Sequence, residues 1–115
     1  MALVLYHNPR CSKSREALRL LTMRGHEPRI LLYLDTPPST AALKQLLKKL
    51  GLTPRELMRI SEPVYQSLGL ENPVLSDAAL IKAMSENPVL IERPIVISGP
   101  RAVIGRQPER VLEIL

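Results

Sequence analysis

The sequence predicts an α/β fold, and three observations carry that prediction. Short, continuously apolar runs stand near both ends of the 115-residue chain. Leucine-rich segments with helical spacing lie between them. Clusters of Pro, Gly, Asn and Ser punctuate the boundaries, as turns and helix caps require. A chain of 115 residues is the size of one domain, able to bury a core without disulfide or metal staples.

Ala2-Leu3-Val4-Leu5-Tyr6 is uniformly apolar and ends at His7-Asn8-Pro9, so it reads as a buried strand of a parallel sheet. From Ser14 to Arg24, Ala17, Leu18 and Leu21, with Leu20, form one helical stripe, and Gly25 supplies a left-handed C-terminal cap. Ile30 to Leu34 reads as a second strand, closed by Asp35-Thr36-Pro37-Pro38. Strand, helix and strand then make a right-handed crossover, and its first strand delivers the His7–Arg15 stretch at the carboxyl end, where open α/β sheets bind ligands.

The middle of the chain is helical in pattern. Ser39 or Thr40 caps a helix with Leu43, Leu46, Leu47 and Leu50 on one face, ended by Gly51. Thr53-Pro54-Arg55-Glu56 is a capping box with proline at the first helical position. Glu62 to Tyr65 begins a short turn, and Ser76 caps a helix carrying Leu80, Ile81, Ala83 and Met84 as far as Asn87-Pro88. Residues 36 to 87 read as an all-helical insertion within a single domain of residues 1–115, too short for a core of their own. Ile95 to Ser98, the Gly99-Pro100 turn and Ala102 to Ile104 form a hairpin, with Pro94 at its entry, and Pro108 to Leu115 read as a closing helix. Without the insertion, the order βαβ then ββα is that of a thioredoxin-like fold of the glutaredoxin type, one of several α/β arrangements compatible with it.

The formal charge of +5 is dispersed, Phe and Trp are absent, and Lys48-Lys49 is the one adjacent basic pair the pattern singles out. Nothing here resembles a stacking platform for bases, so no nucleic-acid partner is expected. A basic balance suits a small anion equally well. A single cysteine forbids an internal disulfide. With no signal-peptide pattern and no long apolar run, a cytoplasmic protein with no membrane partner is expected.

That cysteine, Cys11, lies in His7-Asn8-Pro9-Arg10-Cys11-Ser12-Lys13-Ser14-Arg15. Unpaired cysteines usually serve as small buried hydrophobes. This one has polar and cationic neighbours, and burying it would bury a polar loop with it. A loop turning into a helix N-terminus offers free N–H groups and a positive dipole end that stabilise a thiolate and cradle an oxyanion. Arg10, Lys13 and Arg15 add positive charge, as would His7 if protonated, so a lowered thiol pKa is expected.

The blocks His7-Asn8-Pro9-x-Cys11-x-x-Ser14-Arg15, Tyr33-Leu34-x-Thr36-Pro37-Pro38, Glu92-Arg93-Pro94-Ile95-Val96 and Val111-Leu112-Glu113-Ile114-Leu115 resemble the glutaredoxin-coupled arsenate reductases of the ArsC family. The resemblance runs from the first strand to the last helix. It implies a thioredoxin-like fold with a helical insertion, and arsenate or a similar oxyanion as substrate. It further implies Cys11 as nucleophile and Arg59, Arg93 and Arg106 as the substrate pocket. Supporting roles fall to His7, which would help keep Cys11 ionised, to Ser14 and Arg15 of the motif, and to Pro94, preceded by a cis peptide. No tightly bound cofactor or metal is implied. Glutathione enters as co-substrate and glutaredoxin as the protein partner. A tetrahedral dianion suits arginine, whose planar fork donates in pairs.

Two other readings compete. Spx-type transcription regulators share the fold and bind RNA polymerase, but many carry a Cys-x-x-Cys switch, and here Ser14 takes the second position. Cys11-x-x-Ser14 also suits a monothiol glutaredoxin-like thiol transferase, against which the helical insertion and the three arginines weigh.

Overall fold

The computed structural model describes residues 2–115. The chain forms two compact units, one built by the chain up to Thr36 together with Arg93–Leu115, the other by Pro37–Glu92.

In the first unit, strands β1 (Leu3–Tyr6), β2 (Arg29–Leu31), β3 (Ile95–Ser98) and β4 (Arg101–Ile104) form one sheet in the order β2-β1-β3-β4. β1 runs parallel to β2, with Leu5 opposite Ile30, and antiparallel to β3, with Leu5 opposite Val96. β3 and β4 form the expected antiparallel hairpin around Gly99-Pro100. The arrangement is the thioredoxin-like α/β fold. The parallel sheet expected around β1 is corrected to a mixed one, because the chain returns for β3 in the opposite sense. Helix α1 (Ser12–Met23) and a closing 3₁₀ helix (Pro108–Ile114) pack on each other. Leu3, Leu5, Val96 and Val103 of the sheet join Ala17, Leu21, Val111 and Ile114 in one buried cluster. The alternation of Leu3 and Leu5 puts both on one face of the pleat.

The elements differ from the sequence reading at several ends and in one helix type. Helix α1 starts at Ser12 rather than Ser14, which makes Cys11 its N-cap. Its other end is as read: Gly25 at φ 81° lets the His26 and Gly25 amides reach the Leu21 and Thr22 carbonyls, each at 3.0 Å. β2 ends at Leu31, short of the expected Leu34, because the Asp35 and Thr36 amides turn back to the Leu32 carbonyl at 3.0 and 2.9 Å. That turn buries Tyr33, whose ring stacks on Tyr6 at 6.1 Å. The closing helix is 3₁₀ rather than α.

The second unit is helical, as the spacing of its leucines requires. Helix α2 (Thr40–Leu50) is capped by Ser39 and buries Leu43, Leu46 and Leu47. The short α3 (Pro54–Leu57) begins in the expected capping box, and α4 (Pro63–Ser67) follows. Helix α5 (Asp77–Glu86), capped by Ser76, buries Leu80, Ile81, Ala83 and Met84, and both α2 and α3 pack against it. The unit extends past residue 87 because its exit pairs with its middle. The Arg59 amide donates to Leu90 at 2.7 Å and the Glu92 amide to Leu57 at 2.9 Å, flanking a Met58–Ile91 bridge. No helix among the described residues is long and apolar enough to cross a membrane.

Candidate active site

The stretch between β1 and α1 is held by its own polar groups. The Cys11 amide donates to the Asn8 carbonyl at 2.9 Å, and the Asn8 side-chain oxygen accepts from the Arg10 amide at 3.0 Å. Asparagine closing a turn on its own downstream backbone is the local reason the chain bends here. Arg15, one turn into α1, reaches back to the Pro9 carbonyl at 2.9 Å. The His7 amide is tied to the Leu31 carbonyl of β2 at 2.9 Å, so both ends of the loop are pinned.

Cys11 is half-buried and has extended backbone, φ −94° and ψ 122°. No side-chain oxygen caps the helix; the sulfur stands where a capping oxygen would. Burial pushes the thiol pKa up, but the backbone N–H of Ser14, the charge of Arg93, the N–H of Lys13 and a hydrogen bond from Arg93 outweigh it, holding the thiol below its ordinary value. Two first-turn amides and one guanidinium therefore converge on this sulfur, a setting that favours thiolate and can also receive an oxyanion.

Behind the loop lies a buried polar pair. His7 Nδ1 and Ser14 Oγ are 2.6 Å apart, and the same oxygen accepts from the Asn8 amide at 3.0 Å. Burial and then the charge of Arg15 depress the His7 pKa, so the imidazole is neutral at neutral pH. The positive charge that a protonated His7 would lend the sulfur is thus not supplied. His7 pairs instead with the Ser14 hydroxyl, and the Ser14 amide is the one that acts on the Cys11 sulfur.

The three arginines are placed differently. Arg93, two residues before β3 and joined to buried Pro94 by a cis peptide, is the one whose charge and hydrogen bond act on Cys11. Arg106 is exposed just beyond β4. Arg59 belongs to the helical unit, where Glu62 binds its guanidinium at 2.7 Å and the buried Glu92 lies at 3.8 Å. Sequence reasoning passed over Asn8, which organises the loop through its carbonyl, amide and side chain; the Asn-Pro pair was its available signal. It also passed over Glu62 and Glu92 as anchors of Arg59. Among the described residues, no group of three or more His, Cys, Asp or Glu side chains is arranged to hold a metal ion.

The chain is similar to known proteins over most of its length. Residues 6–114 match the model of the ArsC family. An arsenate reductase from Haemophilus influenzae is 53% identical over 116 residues, covering 100% of both chains. The uncharacterized protein YfgD of Escherichia coli is 56% identical over 112 residues, covering 96% of this chain and 94% of its own. Among solved structures, an arsenate reductase from Vibrio cholerae superposes with a TM-score of 0.98 at 52% identity, covering 100% of this chain and 98% of that one.

Proposed function

The chain belongs to the ArsC family, and from that premise we propose that it reduces arsenate to arsenite with glutathione and glutaredoxin as the source of electrons. The observation that supports this most directly is the convergence of the Lys13 and Ser14 amides and Arg93 on the sulfur of Cys11. A thiolate is the nucleophile, and the donors that stabilise it are also those that bind a tetrahedral oxyanion.

The Cys11 thiolate attacks arsenic, a sulfur–arsenic bond forms, and one arsenic-bound hydroxyl leaves as water after taking a proton. Arg93 offsets the charge of the remaining oxygens. The thiol of glutathione then replaces a second hydroxyl, again with loss of water, and arsenic is still pentavalent. A glutaredoxin thiolate next attacks the glutathione sulfur. The pair of electrons in the sulfur–arsenic bond stays on arsenic, which becomes trivalent, and glutaredoxin leaves as its glutathione mixed disulfide. Water finally releases arsenite and restores the Cys11 thiolate. With a single cysteine in the chain, the second and third sulfurs come from other molecules.

The test is arsenite release from arsenate with glutathione and glutaredoxin, run beside Cys11→Ser. Turnover by the native chain and none by the serine variant is expected, because a hydroxyl does not supply the soft anionic nucleophile at neutral pH. Equal turnover by both proteins would refute the mechanism. Reduction of glutathione mixed disulfides without any arsenite would instead identify a thiol transferase. A cytoplasmic site of action, where free glutathione keeps thiols reduced, goes with this reading.

A further inference from the structure

Beside the cysteine loop, on the β2 side, lies a cavity of about 300 Å³ that the steps above do not use. Its walls come from two pinned segments: Asn8, Pro9 and Arg10 of the loop, and Leu32, Leu34 and Asp35 of the turn after β2. Hydrogen bonds fix both segments, His7 to Leu31 at the near end and the Asp35 and Thr36 amides to Leu32 in the turn. Leu32 and Leu34 are 39% and 38% exposed, large apolar side chains left open to solvent although the neighbouring Tyr33 is buried. An apolar floor therefore lies between one cation, Arg10, and one carboxylate, Asp35.

We propose that this cavity binds the small thiol that attacks the Cys11-bound arsenic, a peptide carrying both a carboxylate, received by Arg10, and an ammonium group, received by Asp35. The proposal rests on the arsenate reductase reading and adds the place of its co-substrate. Arg10 immediately precedes Cys11 in the chain, so the cavity adjoins the loop that carries the reacting sulfur. The volume is at the lower end of small-molecule sites, roughly 300–1,000 Å³. It admits a tripeptide such as glutathione and is too small for a protein surface. The chemistry located here is the exchange of a thiol for an arsenic-bound hydroxyl, which leaves as water, with no change in oxidation state.

The experiment compares Asp35→Asn and Leu34→Trp with the native chain, using glutathione and, separately, 2-mercaptoethanol, which has neither charged group. Asp35→Asn should raise the KM for glutathione roughly fivefold, the size of one exposed charge pair, and leave the KM for arsenate and for the neutral thiol unchanged. Leu34→Trp, which fills the cavity, should raise the glutathione KM further. An unchanged glutathione KM in both variants of a chain that reduces arsenate would overturn the proposal. If the native chain reduces no arsenate, the function reading fails by itself, and the cavity is judged by titrating the full ¹⁵N-labelled chain with S-methylglutathione. Amide shifts concentrated at Asn8, Arg10 and Leu32–Asp35 would support the site, and shifts absent there would refute it.

Discussion

At the scale of single residues, the behaviour of Cys11 follows from what replaces the water around it. Half-burial alone would raise its pKa, and the Ser14 and Lys13 amides with Arg93 reverse that. Arg93→Ala removes a charge and a hydrogen bond together. The thiol midpoint, read from the pH dependence of alkylation, should move up, and arsenate turnover should fall roughly 10²–10³-fold, the usual loss for one positioned donor. A midpoint that stays put would mean the helix amides alone hold the anion. Cys11 was legible in the sequence as the candidate nucleophile because its neighbours are polar and its position follows a strand and opens a helix. The arginine beside it was not legible from chemistry alone, since a lone Arg before a proline reads as surface, and only the resemblance singled it out. The state of His7 was hidden as well. Its neutrality depends on burial and on Arg15, which a linear pattern does not display.

Elements inherit their accuracy from how local their causes are. Ser39, one of the two expected candidates, and Thr53 and Ser76 cap their helices, because a side-chain oxygen reaching an amide three residues on needs no tertiary information. The end of β2 was misread for the opposite reason. Ile30 to Leu34 is apolar throughout, yet the turn closed on the Leu32 carbonyl ends the strand and stacks Tyr33 on Tyr6, a contact between distant parts of the chain that apolarity alone does not display. The β4 exit shows a similar dependence. A Cβ added to Gly105 would come within 2.9 Å of Val111 and 3.2 Å of Pro94, while the Gly105 amide donates to the Pro94 carbonyl at 2.8 Å. Gly105→Ala should therefore cost about 1–3 kcal/mol, as overpacking generally does, measured as a lower urea midpoint with an unchanged slope. No loss of stability would show that Val111 has room to yield.

For the whole molecule, acid sensitivity follows from the same buried histidine. Folded His7 holds its proton less tightly than the ordinary 6.5, whereas the unfolded chain restores that value. Between 6.5 and the lower folded pKa the unfolded state binds more protons, so stability rises with pH there and is lost as pH falls below about 6.5. The thermal midpoint should decline through that window, with the His7 ring signal in NMR still titrating at lower pH; a His7 midpoint at or above the ordinary value would contradict the assignment. A last consequence comes from the sheet margins. β2 has 3 residues and β4 has 4, and each carries an exposed arginine, Arg29 and Arg101. Stubs so short, studded with like charge, offer a stray polypeptide too few backbone partners to offset its loss of freedom. Crowded copies of this molecule thus lack a template for growing sideways into fibrils.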